Sequence, residues 1–133
     1  MNTENTLRAA GEPDFADVDD WLTNVLICIG VMPNREGFLH IKNAVMLRLR
    51  KLSPDNKNGI YSALAKTCGR RADGIERNIR SAIRSAYDAG RLCNINKLFG
   101  IRVVDEHTCL TSIELISLLT QYATIFLRMR TNS

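Results

Sequence analysis

Residues 64–89 read LAKTCGRRADGIERNIRSAIRSAYDA, and their periodicity decides the fold class. With Ile75 at the origin of a helical wheel and about 100° per residue, Ile79, Ala82, Ile83 and Ala86 fall within roughly 80° of it, with Tyr87 at the edge. Arg77, Arg80, Ser81 and Arg84 fall on the opposite side, between about 140° and 240°. One helix, predicted over about 73–89, therefore has an apolar stripe to bury and an arginine stripe to present. Asp73 with Glu76 three residues on resembles a capping box, and Gly90 suits the end. Ahead of it, Leu64-Ala65, then Gly69, then Ile75 meets the steric needs of a helix-turn-helix. The small residue lets two helices approach, the glycine takes the turn, and the apolar residue seats the second helix. The next apolar position expected of that pattern falls on Asn78, with Ile79 beside it.

Working outward, the rest of the chain is also helical in period. Val18, Trp21, Leu22, Val25, Leu26 and Ile29 mark a first helix from Asp17, headed by acids and stopped by Gly30. Phe38, Ile41, Val45, Leu49 and Leu52 mark a second, ending before Pro54, with Lys42, Arg48, Arg50 and Lys51 on its other face. A polar loop, Asp55 to Gly59, leads to a short third helix with Ile60, Tyr61, Leu64 and Ala65. After Gly90 come Leu92, Ile95, Leu98 and Phe99, then Ile101-Arg102-Val103-Val104, predicted to be briefly extended. Thr111 with Glu114 is a capping box opening a last helix of about 18 residues, apolar over more than one stripe. That breadth suits a core helix or a homodimer seam. The fold class is all-α, with about six helices, an embedded helix-turn-helix and little or no β-structure.

Residues 1–16 have the composition of a tail and are expected to form a flexible acidic arm ahead of a domain spanning 17–133. The net charge of +4 conceals an asymmetry. Residues 1–20 hold six acids and one base, so 17 bases and eight acids remain in 21–133, a net +9. Such an excess attracts polyanions, of which nucleic acid is the commonest inside a cell. Six of the bases (Lys66, Arg70, Arg71, Arg77, Arg80 and Arg84) lie between positions 66 and 84, against two acids. Arginine suits this work because its rigid fork of donors pairs bidentately with guanine or phosphate.

Other chemistry is poorly represented. Cys28, Cys68, Cys93 and Cys109 include no CxxC pair and have no histidine at ligand spacing, and His40 and His107 are isolated, so reduced thiols and no metal are expected. No phosphate loop or nucleophile motif occurs, so neither an enzyme nor a cofactor is expected. The longest apolar run, Val25 to Met32, is interrupted by Gly30 and too short to span a bilayer, and no signal peptide is evident. A cytoplasmic protein without membrane association is the expectation.

Ile29-Gly30-Val31, Glu36-Gly37-Phe38-Leu39, the stretch Gly74 to Ile83, and Leu98-Phe99-Gly100 together resemble the C-terminal effector domain of stage 0 sporulation protein A, the response-regulator family controlling entry into sporulation in Firmicutes. The resemblance covers roughly residues 21–126. It implies a six-helix domain that binds tandem duplex DNA sites as a dimer and contacts RNA polymerase sigma factor. It also implies that Glu76 and Arg77 are the base-reading pair and Arg80 the next DNA-contacting arginine, while Ser81 stands where the family commonly has histidine. Lys66, Arg70, Arg71 and Arg84 complete the expected DNA-contacting set. A receiver of ordinary domain length, roughly 120 residues, would have to precede this domain, whereas about 20 residues do; receiver control within the same chain is not expected. The alternative is a protein-interaction module, an inhibitor or adaptor of mobile-element origin, that has kept a DNA-binding fold.

Overall fold

The computed structural model describes residues 15–51 and 57–131, and these are all-α, with no strand among them. Helix α1 (Phe15–Cys28) is followed by α2 (Glu36–Leu49), α3 (Lys57–Cys68), α4 (Ala72–Asp88), a 3-10 turn (Leu92–Asn94), α5 (Ile95–Phe99) and α6 (Ser112–Thr131). Helix α1 already includes Phe15, two residues before the expected start, and Phe15 lies under the Arg50 guanidinium, 4.6 Å from ring centroid to carbon, which ties it to the end of α2. The remainder of the expected acidic arm lies outside the described residues.

Helix α2 is the hub, packing on both α4 and α6, while α3 lies across α2 and α4. Most of the apolar positions read from the 3.6-residue period are buried, Trp21 and Leu49 are half-buried, and Leu52 lies outside the described residues. Val18, Leu22 and Leu26 of α1, Ile29 just after it, Ile41 and Val45 of α2, and Leu115, Ile116 and Leu119 of α6 are all inaccessible to solvent. Burying a side chain of that size stabilises a fold by about 1.5–3 kcal/mol, so this shared core, rather than helix propensity, holds the elements together.

Close approach of α2 to α4 depends on one residue. A Cβ added at Gly37 would stand 2.5 Å from the Asn78 carbonyl oxygen and 2.7 Å from the Ala82 Cβ. Only glycine fits there, and the contact fixes the height at which α4 sits on the core.

Local readings fared unevenly. The Thr111–Glu114 box forms at the head of α6: the Thr111 N–H donates to Glu114 Oε1 at 2.8 Å and the Glu114 N–H to Thr111 Oγ1 at 3.2 Å. The Asp73–Glu76 box does not form. Helix α4 opens one residue earlier, with Arg71 as an N-cap that makes no side-chain cap bond. Asp73 therefore lies inside the first turn, where its Oδ1 accepts from the Gly74 N–H at 3.0 Å and pairs with Arg71 at 3.4 Å. Glu76 reaches Arg80 instead, at 3.5 Å.

Residues 57–59, expected in a loop, already belong to α3, which needs that extra turn to bring Ile60 and Tyr61 into the core. Ile101–Val104 forms no strand. Its backbone is held by one side chain: Asn96 Oδ1 accepts from the N–H groups of Val103 and Val104 at 2.6 and 3.0 Å, and its Nδ2 donates to the Val104 carbonyl at 2.6 Å. Two members of the basic face of α2 are engaged within the fold, while Arg50 and Lys51 are exposed. Lys42 pairs with Asp19 at 2.9 Å and Arg48 donates to Ser117 Oγ at 3.0 Å.

Candidate nucleic-acid interface

Two helices joined by three residues present the basic surface. Helix α3 ends at Cys68, Gly69 turns the chain with φ of +71°, and Arg70 and Arg71 lead into α4. The left-handed backbone at Gly69 is one that side-chain-bearing residues rarely adopt, and this opens the angle between the helices. Helix α4 then buries Ile75, Ile79, Ala82, Ile83 and Ala86 on one face. The stripe on the other face is solvent-facing, with Arg77, Arg80, Ser81 and Arg84 all exposed.

The arginines differ in how they are held. Arg80 is paired along the helix with Glu76 at 3.5 Å, and Arg84 with Asp88 at 3.3 Å while also lying over the Tyr87 ring. These are exposed pairs separated by one helical turn, worth about 0.3–0.5 kcal/mol each, so a polyanion can exchange them at little cost. Arg77 has no such pair among the described residues. Its guanidinium is open to whatever approaches the middle of the stripe.

The turn arginines are held differently. Arg70 Nη2 lies 3.1 Å from Glu36 Oε1, and the other oxygen of the same carboxylate accepts from Asn78 Nδ2 at 2.7 Å. Asn78 occupies a position where the helix-turn-helix pattern expects an apolar residue. Its amide instead ties α4 to the first turn of α2. Glu36 thus links α2, the turn and α4 through one side chain, a link between residues 42 apart that local spacing does not reveal. Lys66 at the end of α3 is exposed, as is Arg71.

His40, one turn after Glu36, is buried with neither ring nitrogen hydrogen-bonded. Burial holds its imidazole below the ordinary histidine range; the Glu36 carboxylate opposes this and the Arg70 guanidinium adds to it.

The arginine stripe also forms one wall of a cleft of about 820 Å³, bordered by Glu76, Arg77, Arg80, Ser81 and Arg84. The opposite wall is the segment Cys109–Ile113, which leads into α6, and Tyr61 of α3 closes the floor. Lys66, Arg70 and Arg71 do not line it. Sequence periodicity finds the α4 wall and misses the other two, since Tyr61 and residues 109–113 reach the site only through tertiary packing. Tyr61 is 5% exposed, and burial pushes its phenol up from the usual tyrosine range. Its hydroxyl faces the Ser112 side chain without completing a hydrogen bond and has no other partner among the described residues.

Among the described residues no group of three or more His, Cys, Asp or Glu side chains could hold a metal ion, and Cys28, Cys68, Cys93 and Cys109 are all free thiols. No described helix is long and apolar enough to cross a membrane.

A family model for the C-terminal part of sporulation initiation factor Spo0A matches residues 22–123, from the first buried leucine of α1 to the last fully buried position of α6. The chain belongs to this family. The Spo0A C-terminal family is the DNA-binding effector domain of a sporulation regulator, so the chain is a DNA-binding domain of the transcription-regulatory class. The match contains all of α2 to α5, and with them Glu36, Gly37, the turn at Gly69 and both walls of the cleft.

Proposed function

We propose that the chain reads duplex DNA through α3 and α4 acting as a helix-turn-helix, with α4 as the recognition helix in the major groove. The observation that carries this reading is the division of α4 into a fully buried stripe and an exposed arginine stripe whose central member, Arg77, makes no ion pair among the described residues. A helix of 17 residues is about 25 Å long. That is enough to lay several side chains along the base edges of the groove.

In this reading Arg77 and Glu76 read bases, Arg80 and Ser81 contact the neighbouring positions, and Arg84, Arg70, Arg71 and Lys66 hold phosphates and set the register. The family resemblance supports the first three assignments, and the exposure of the other residues supports the rest. Protein partners fit the C-terminal end of α6. Leu115, Ile116, Leu119 and Ala123 are buried within the monomer, whereas Ile125 and Met129 are 37% and 68% exposed. A homodimer seam or a sigma-factor contact on α6 therefore uses its last two turns. The cytoplasm is where such a regulator works.

The test is an anisotropy titration of two labelled 30-mers, one random and one carrying tandem copies of the sporulation-family box, at two salt concentrations. Wild type should prefer the boxed duplex and weaken steeply with salt, as binding through phosphate contacts requires. Arg77→Ala should cost about 1–3 kcal/mol on the boxed duplex and much less on the random one. Equal loss on both duplexes overturns base reading by Arg77. Absence of binding to either replaces the proposal with the protein-interaction reading.

A further inference from the structure

Among the described residues, Arg71, Arg80 and Arg84 pair with acids on the recognition helix itself, Asp73, Glu76 and Asp88. Arg70 is different. Its partner is Glu36, the first residue of α2, with 3.1 Å between Arg70 Nη2 and Glu36 Oε1. An exposed ion pair is usually weak, in part because two long side chains must give up their freedom to form it. Here one of the two is already held. Asn78 Nδ2 donates to the second carboxylate oxygen at 2.7 Å, and Asn78 is itself a half-buried residue of α4. The backbone beside the carboxylate is fixed as well, since Gly37 packs so closely on Asn78 that an added Cβ would stand 2.5 Å from its carbonyl oxygen. Glu36 is therefore a preformed acceptor, placed by α2 and α4 together, and the side-chain freedom lost on pairing is mainly that of Arg70.

The pair stands where a polyanion would approach. Arg70 lies in the turn that leads into α4, and both its side chain and that of Glu36 are exposed to solvent. A phosphate that reaches this guanidinium meets a carboxylate already bound to it. Whether the guanidinium turns to the phosphate or is shared between the two, part of the ion pair is given up and a negative charge stays beside the polyanion. Both effects oppose binding. Neither depends on base sequence, because phosphate contacts carry no sequence information directly.

We propose that Glu36, anchored by Asn78, restrains Arg70 and so sets the sequence-independent strength with which the domain holds DNA. Glu36 is a positioning residue that acts through Arg70. The inference deepens the duplex-binding reading and rests on it for the identity of the ligand; the restraint itself acts against phosphate charge of any source. A weaker hold on the backbone leaves discrimination to the base-reading residues of α4.

Wild type, Glu36→Gln, Arg70→Gln and the double variant are titrated as whole chains, at one ionic strength, with the boxed duplex, the random duplex and long-chain inorganic polyphosphate, which carries phosphate charge but no bases. Glu36→Gln keeps an oxygen acceptor for Asn78 and removes the charge that holds Arg70. In the native chain it should tighten binding to all three ligands, and the gain should be about three- to fivefold larger than the same substitution gives beside Arg70→Gln, the coupling expected of a well-held surface pair. The ratio of boxed to random affinity should stay within about twofold of wild type, as an effect on phosphate contacts requires. Equal gains in the two backgrounds would mean that overall charge alone matters, and weaker binding by Glu36→Gln would mean that Glu36 merely supports α4; either result overturns the proposal. A collapse of the boxed-to-random ratio overturns it as well, by placing the effect in base reading.

Thermal unfolding checks that each variant is folded at the assay temperature. Should Glu36→Gln not fold, Arg70→Gln is compared on polyphosphate with Arg77→Gln, which removes an arginine that has no ion pair among the described residues. The loss at Arg70 should then be about threefold the smaller, and equal losses sink the proposal. If wild type binds neither duplex while the coupling appears on polyphosphate, the duplex reading fails and the restraint stands. Duplex binding without coupling on any ligand has the opposite meaning, and no binding of any of the three ligands overturns both.

Discussion

Replacing Gly37 by alanine sets two effects of known size against each other. Alanine favours a helix over glycine by at most about 1 kcal/mol, and less in a first turn. Against this, the new methyl would lie 2.5 Å from the Asn78 carbonyl oxygen and 2.7 Å from the Ala82 Cβ, contacts that real Cβ atoms do not make. The first of these is backbone, so it yields only if α2 and α4 separate. Overpacking of this kind costs typically 1–3 kcal/mol, sometimes more. The upper part of that range applies here, which leaves a net loss of about 1–2 kcal/mol after the propensity gain. For a domain of this size that corresponds to a fall in Tm of roughly 5–10 °C. Gly74→Ala is the control, because the added methyl meets nothing within 4 Å and φ at that position is not positive. The control should hold or raise Tm. Thermal unfolding followed by circular dichroism compares the two variants with wild type, and a Gly37→Ala protein as stable as Gly74→Ala would refute the claim that close helix approach is what glycine provides here.

Acid sensitivity should trace to His40. Its folded-state pKa lies below the ordinary value of 6.5, so the stability it contributes is complete above that value and is lost as pH falls through the lower, folded pKa. Urea unfolding at pH 7.5 and pH 5 should show this loss in wild type and a much smaller one in His40→Leu; an equal loss in both would place the sensitivity elsewhere. Removing the α6 cap by Thr111→Ala should cost about 1 kcal/mol, read from the urea midpoint, and an unchanged midpoint would mean that the bonds at 2.8 and 3.2 Å contribute nothing. Leu119→Ala empties a fully buried position where α6 meets the core and should cost about 2–5 kcal/mol; a cost below 1 kcal/mol would contradict that placement.

What could be read from the sequence was whatever repeats at short range. The buried stripe of α4 follows from a 3.6-residue period, and the Thr111–Glu114 box from two residues three apart, because both interactions are closed within one or two turns of chain. The Asp73–Glu76 box has the same spacing and failed, since α4 opens at Ala72 and leaves Asp73 without the extended backbone that a cap requires. The charges noted on the other face of α2 include Lys42 and Arg48, whose partners on α1 and α6 no local pattern reveals. The Glu36 link to Asn78, the Asn96 side chain that takes the place of a strand, and the Tyr61 floor of the cleft all depend on residues brought together by packing. Asn78 did leave a trace, as a polar residue in an apolar slot. Its meaning became clear only with α2 in place.

The surface of α4 divides its residues by how firmly the monomer holds them. Arg70 and Asn78 are bound to one carboxylate, so a change at Glu36 disturbs both, and the three positions are tied together in any lineage that keeps this packing. Arg77 and Ser81 are exposed, and their side chains make no hydrogen bond or ion pair among the described residues. Substitutions there leave the core, the turn and the helix seating untouched. After duplication, copies of this domain can therefore diverge in the sequences they recognise at these two positions while the rest of the protein is inherited unchanged.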